Sequence, residues 1–305
     1  MSDEGEPKPG SGKLLLYSLI LAMLLLWAGN FIIGKVALRE FPPLLAGGLR
    51  TALAGLLMVP VFLWQRARTP RETWTRRDWR VLLLLGVFGV SLNQVFFLIG
   101  LKRTTVAHSA FVVGLMPILV LLIAVLAGQE RLAGRRLAGM IIAFGGVVWL
   151  NAFPAGTPAQ VAGPSLLGDL FIFLSILSFA AFTVFGKEVS RRHSGITVST
   201  IGYAAGAVAL APLTLWYARD FPFASISTAA WMSLLYMALF PSVICYLIYY
   251  FALTKISASR LAAFGYVQPV LAVALGTAIL REPLTPALAA GGAIILCGVY
   301  FAERG

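Results

Sequence analysis

The side chains with chemical capacity in this sequence are amides, phenols and indoles set inside long apolar runs. Trp27 and Asn30 stand one helical turn apart and can share a face, as can Asn93 and Phe97, with Gln94 beside them. A second group follows far down the chain: Tyr246 and Tyr249 in one run, Tyr266 and Gln268 in the next. Arg50 lies about two turns inside its own run, and His108 stands near the start of another. Such residues offer aromatic walls with hydrogen-bonding groups between them, the lining of a pocket for amphipathic solutes. The plainer reading of the same residues is packing, with Asn and Gln bonding between helices and Tyr at the water boundary. For His108 it is an ordinary polar residue near an interface; a role meeting a carboxylate or a proton is the functional alternative. Arg50 either snorkels outward or anchors a substrate carboxylate.

Bond-making chemistry is poorly supplied. An intramembrane enzyme needs paired carboxylates, a nucleophile with its base, or a metal cluster at membrane depth. The chain has 2 His, not within ligand spacing of each other, and its Asp and Glu residues avoid the centres of the apolar runs. The sequence therefore predicts no catalytic residue, no metal and no cofactor. A proton relay through a buried carboxylate is likewise missing, which leaves facilitated diffusion beside proton coupling. Cys245 and Cys297 sit in apolar segments and read as core residues.

The elements holding these residues are membrane spans. Of 305 residues 59% are hydrophobic and 12% charged, and the mean hydropathy is +0.88. Apolar blocks of roughly 20 residues, the length of a helix crossing a bilayer core, fill the chain. They predict helices near 14–37, 43–64, 80–101, 106–128, 135–153, 166–187, 195–217, 229–253, 258–280 and 285–302. The net charge of +12 sits between these blocks, where it orients helices, so nucleic acid is not expected as a partner. Most basic residues fall on one side of the ten-span arrangement. The other side holds only Lys35, Arg39, Lys102, Arg103, Arg219 and Arg281. By the positive-inside rule both termini are cytoplasmic.

The chain also repeats itself. Residues 27–35 align with 179–187, an offset of 152, the separation of Lys35 from Lys187. The same offset pairs Pro60 with Pro212, Trp64 with Trp216, Pro117 with Pro269 and Glu130 with Glu282. Shared Pro, Trp, Lys and Glu in one register mark a true repeat. Five helices per half is an odd number, so the halves insert upside down relative to each other, the plan of many secondary transporters. The expected fold is an all-α integral membrane protein of ten helices, two inverted five-helix repeats around a central cavity. Its divisions are a cytoplasmic tail (1–13), the first repeat (14–153), a periplasmic linker (154–165) and the second repeat (166–305). Gly86, Gly89, Gly139 and Gly145 read as close helix contacts, and Pro117 and Pro269 as mid-helix hinges. Lys35 and Glu282 fall at the outer boundary, Lys187 and Glu130 at the inner one. These four either pair as alternating gates or simply mark wet helix ends.

Several stretches carry a family resemblance: Trp27-x-x-Asn30-Phe31-x-x-x-Lys35, Phe41-Pro42-Pro43 followed by Arg50, Gly100-Leu101-x-x-Thr104-Thr105, Met116-Pro117-Ile118, Gly128-x-Glu130-Arg131-Leu132, Gln268-Pro269, Glu282-Pro283-Leu284 and Gly291-Gly292. In order and spacing the sequence resembles the drug/metabolite transporter superfamily, in its ten-helix EamA-type branch. The resemblance implies an exporter of amino acids or similar metabolites in a bacterial inner membrane, working by alternating access, with aromatic amino-acid exporters of the YddG type as one subgroup. A facilitator for a nucleobase or amine is the alternative. The implied partners are a small-molecule substrate and the lipid bilayer, with the chain a monomer or weak homo-oligomer.

Overall fold

The computed structural model describes residues 11–68, 74–104, 109, 112–152, 165–268, 270–271 and 286–304, and every regular element among them is helical. In chain order these are α1 (Ser11–Glu40), α2 (Pro43–Arg66), α3 (Arg76–Arg103), α4 (Met116–Leu126), α5 (Gly134–Ala152), α6 (Leu166–Ser190), α7 (Gly195–Ala218), α8 (Thr228–Leu253), α9 (Ala258–Ala263, continued by a 3-10 turn, Phe264–Tyr266) and α10 (Pro286–Arg304). Six of them (α1, α2, α3, α6, α7 and α8) are long and apolar enough to cross a membrane, and α4 and α10 contain shorter apolar stretches.

Polar punctuation sets the ends. The side chains of Thr75, Ser165, Ser194, Ser227 and Ser257 each accept a hydrogen bond from the third residue of the helix that follows, satisfying amides that hydrocarbon cannot. Pro43 starts α2, where its missing N–H costs nothing. At the end of α4, Gly128 takes a left-handed φ of 68°. Its N–H donates to Val125 O and that of Gln129 to Ala124 O, so the chain turns sharply into Glu130.

Side-chain ties fix the direction of each helix. The start of α3 meets the end of α6 through Arg77–Glu188 and Arg192–Asp78, and the end of α2 meets the start of α7 through Ser194–Gln65. These contacts lie at one end of the bundle, which carries most of the arginines and is called the basic end below. At the opposite end, Thr104 after α3 bonds Asp169 of α6, and Glu40 of α1 accepts from both the backbone N–H and the hydroxyl of Ser227 before α8. Hence α1 runs away from the basic end and α6, its repeat partner, runs toward it. Packing follows the same inverted relation: α5 lies on α10 and α2 on α7, while α3 lies on α6 as α8 lies on α1. Glycines bring α5 and α10 into backbone contact; a Cβ on Gly139 would stand 2.4 Å from Ala302 N, and one on Gly298 2.3 Å from Ala143 N. Gly86 and Gly89 face equally close neighbours, but among the described residues a Cβ on Gly145 meets nothing within 4 Å.

The outer surface suits lipid. Leu56, Leu126, Leu166 and Val208 are among many large apolar side chains left exposed, a pattern that water would punish. Exposed Trp64 and Trp216, related by the repeat, sit near opposite ends of the bundle, where indoles favour the headgroup region.

Two features were not legible as periodicity. Helices α3 and α8 each contain a π-helical stretch, Leu85–Leu92 and Ala238–Ile244, at equivalent repeat positions. In both, a serine hydroxyl bonds the carbonyl five residues back, Ser91 to Gly86 O and Ser242 to Met237 O. Pro241, which has no N–H to give, supplies the reason in α8. The second feature concerns the expected hinge. The sequence places Pro117 mid-helix, but the regular helix starts at Met116 and Pro117 lies in its first turn. The break falls just before it, at Gly114 and Leu115, because Pro117 has no N–H to give the carbonyl of Val113 four residues back. Unbroken prolines do lie inside α2 and α7, at Pro60 and Pro212. Pro269 lies outside the described residues.

Candidate functional site

Between the two halves lies a cavity of about 600 Å³, counting the space at its mouth. Helix α1 supplies Trp27, Asn30 and Phe31; α2 supplies Arg50; α3 supplies Asn93, Gln94 and Phe97. Val113 and Met116 come from the start of α4, Ser175, Ile176 and Phe179 from α6, Pro241 and Tyr246 from α8, and Gln268 from the continuation of α9.

Its walls are unequal in chemistry. The first repeat supplies Asn30, Arg50, Asn93 and Gln94; the positions 152 residues on are Phe182, Gly202, Cys245 and Tyr246. At these four positions the first repeat is polar where the second is not an amide or a cation, while rings line both halves, Trp27, Phe31 and Phe97 from the first and Phe179 and Tyr246 from the second. Asn93 is held by Ser175, donating to its carbonyl and hydroxyl oxygens at 3.0 Å each, and the Gln94 amide reaches the Tyr203 hydroxyl at 3.4 Å. Trp27 donates its indole N–H to Pro241 O at 3.2 Å, a carbonyl of the π stretch in α8. Among the described residues three buried polar atoms along the cavity have no partner in full hydrogen-bond geometry: Asn30 Oδ1, Arg50 Nη1 and the Tyr246 hydroxyl, the last lying beside the Tyr203 side chain. Buried polar atoms are seldom left so without a ligand or water to meet them.

Toward the basic end the cavity is floored by packed rings. Trp27 packs on Phe179 and Tyr249 at 5.8 and 5.6 Å, Phe182 packs on Tyr246 and Tyr250 at 5.5 and 5.6 Å, and Tyr203 packs on Tyr246 at 5.1 Å. Phe179, Phe182, Tyr249 and Tyr250 lie further toward the basic end along their helices than Ser175 and Pro241. On the opposite side Phe31 and Phe97 meet at 5.5 Å. Their repeat partners, Thr183 and Tyr249, are joined within the ring floor by a hydrogen bond of 2.8 Å. One pair is apolar and the other polar, yet both connect the first helix of a repeat to its third.

Most expected site residues reach this cavity. Trp27, Asn30, Asn93, Gln94, Phe97, Tyr246 and Gln268 line it. Tyr249 lies in its floor, with the hydroxyl turned to Thr183. Tyr266 is elsewhere, fully buried with Leu121, Met140 and Ile295 between α4, α5, α9 and α10. Adjacent turns of the α9 segment face different sides, which sequence spacing alone did not resolve. His108 lies outside the described residues. Arg50 and Ser175 join the lining. Arg50's signal was the charge itself, set two turns into a span.

A sequence profile decides the family. That of the EamA-like transporter family matches residues 14–152 and again 166–303. The chain belongs to the EamA-like transporter family. Among its relatives is an uncharacterized transporter of Archaeoglobus fulgidus, 28% identical over 285 residues, covering 92% of this chain and 95% of the relative. The uncharacterized transporter YetK of Bacillus subtilis is also 28% identical over 285 residues, covering 93% of this chain and 85% of YetK. One crystal structure superposes with a TM-score of 0.73 at 20% identity, over 95% of this chain and 96% of the other, which shows a shared fold.

The charged motif residues of this EamA-like chain act at the ends of its helices. Lys35 Nζ donates to Thr104 O at 2.8 Å and Lys187 Nζ to Ile256 O at 2.7 Å. Glu130 takes Arg136 at 2.8 Å, and both its oxygens accept from Ser259, one from the backbone N–H at 3.2 Å and one from the hydroxyl. It thereby caps the start of α9, where a carboxylate meets free amides and the positive helix end. In this conformation Lys187 and Glu130 have separate partners rather than forming an ion pair with each other. Glu282 lies outside the described residues. By the repeat, the positions corresponding to Arg136 and Ser259 are Leu288 and Ala107, so the second repeat has no counterpart to these partners of Glu130.

Proposed function

We propose that this membrane transporter exports small amphipathic organic metabolites, amino acids first among them, by alternating access across a bacterial inner membrane. The observation that carries this reading is the cavity between the inverted halves, walled by rings and holding unpartnered polar atoms. Inverted halves can exchange conformations, and a site between them is then presented to each side in turn. The ring floor toward the basic end supports an outward-facing arrangement, provided that the basic end is cytoplasmic as its arginines favour.

The test is counterflow in proteoliposomes preloaded in turn with each of the common amino acids, with and without a pH gradient. Saturable exchange of apolar or aromatic amino acids is expected. Flux of amines or nucleobases alone would replace the amino-acid reading, and linear flux that never saturates would indicate a pore. Orientation is tested separately by impermeant thiol labelling in intact cells of a variant lacking Cys245 and Cys297. Arg219→Cys is expected to label from outside and Arg68→Cys only after the cells are opened.

A further inference from the structure

Arg50 is 3% exposed and lies along the cavity. Its Nε donates to Ser242 Oγ at 2.9 Å, a neutral partner, and among the described residues Nη1 has none. Among the described residues no Asp or Glu forms an ion pair with it. A guanidinium withdrawn from water in this way carries a large desolvation penalty, which a chain normally offsets with an internal carboxylate. Here the buried guanidinium lies along the cavity wall with no internal carboxylate on it among the described residues. Its neighbours cannot neutralise it: Ser242 is already committed, its own hydroxyl proton going to Met237 O at 2.9 Å. That chain of bonds also fixes the Arg50 side chain from α2 against the π stretch of α8, so the remaining face of the guanidinium is preorganised.

We propose that Arg50 is the anion site of the transporter, and that a single carboxylate is the obligatory recognition element of its substrates. This rests on the carrier reading above and narrows it from amphipathic metabolites to amphipathic monocarboxylates. A planar guanidinium with free N–H groups matches a carboxylate, giving short charge-assisted bonds. The Tyr246 hydroxyl can donate to the same anion, and the Asn30 carbonyl can accept from an α-ammonium group, the two other unpartnered polar atoms of the cavity. The ring wall of the second repeat then takes the apolar side chain. The site occurs once because the pseudo-symmetry fails at this position: the repeat partner of Arg50 is Gly202. Nucleobases and simple amines, which carry no carboxylate, leave the buried cation unpaired and are rejected for the reason that any unmade buried bond is costly.

Binding to the purified full-length protein tests this without requiring flux. Thermal stabilisation is titrated with 3-phenylpropionate, indole-3-propionate and 4-methylpentanoate, and with the matching amides and amines. The acids are expected to bind at least about ten-fold more tightly than their amides, the effect of one lost charge-assisted bond. Arg50→Gln should close that gap, and Arg50→Lys should keep part of it. Equal binding of acid and amide to the wild type, a gap that survives in Arg50→Gln, or binding of none of the compounds would overturn the proposal. If Arg50→Gln does not fold, the acid–amide comparison on the wild type decides alone. The two readings fail separately: amine counterflow without acid binding removes the anchor and leaves a carrier. Arg50-dependent acid binding without any flux leaves the anchor and removes the carrier.

Discussion

Lys35 and Lys187, related by the repeat, make the same bond at opposite ends of the bundle. Each reaches from the first helix of its repeat to a backbone carbonyl just past the third, Thr104 O at 2.8 Å and Ile256 O at 2.7 Å. Those carbonyls are themselves 152 residues apart. A cation on the final carbonyls of a helix opposes its negative end and satisfies an acceptor that lipid cannot. Lys35→Met and Lys187→Met should each destabilise the protein by about 1–2 kcal/mol. The sites are far apart, so the double variant should add within about 0.5 kcal/mol. Denaturation in detergent micelles measures both, and a variant as stable as the wild type would show that its bond is dispensable.

Glu130 should couple more strongly to Arg136 than to Lys187. Its carboxylate meets Arg136 at 2.8 Å and the first turn of α9 through Ser259, with both charged side chains largely buried. In double-mutant cycles, Glu130→Gln with Arg136→Gln should show a coupling above about 1 kcal/mol. The Glu130–Lys187 cycle should show less. A reversed order would mean that the Lys–Glu pair forms a gate in the populated state, against the geometry seen here.

Two neighbouring tyrosines should separate stability from transport. Tyr249 shares a hydrogen bond with Thr183, whereas among the described residues the Tyr246 hydroxyl meets no partner in full hydrogen-bond geometry, and Tyr246 lines the cavity. Tyr249→Phe should cost about 1 kcal/mol of stability by loss of that bond. Tyr246→Phe should leave stability unchanged or slightly raised, since it removes a buried unpaired group, and should raise KM for counterflow several-fold. Melting curves and counterflow kinetics on the same preparations check the contrast; transport unaltered in Tyr246→Phe would make that hydroxyl a bystander.

The contact of α5 with α10 should tolerate no bulk at Gly139. A Cβ there would press on the backbone of Ala302, which cannot yield as a flexible side chain would. Gly139→Val should lower stability by about 1–3 kcal/mol through overpacking, while Gly145→Val, exposed and meeting no described residue, should be nearly silent. Thermal unfolding of the two purified variants measures the difference.

The sequence by itself determined the membrane class, the inverted repeat and the positions of the spans that the described residues cover, the rest of the fourth and ninth lying outside them. Apolar block length is fixed by bilayer thickness, and residues such as Trp64, Trp216, Lys35 and Lys187 keep one register that chance does not produce. It also pointed to Trp27, Asn30, Asn93, Gln94, Phe97, Tyr246 and Gln268, because polar and aromatic groups inside a span must face something other than lipid. What they face was open, since helical spacing gives a face but not its neighbour. Only the tertiary structure decided that Tyr266 turns to the α5–α10 side, that Tyr249 is spent on Thr183, and that Glu130 caps α9 beside Arg136. The repeated π stretches and the position of Pro117 at a helix start were likewise decided by backbone bonds between residues, not by their order. Arg50 shows the division most clearly: its charge was visible in the chain, but its lack of a carboxylate partner depends on which helices surround it.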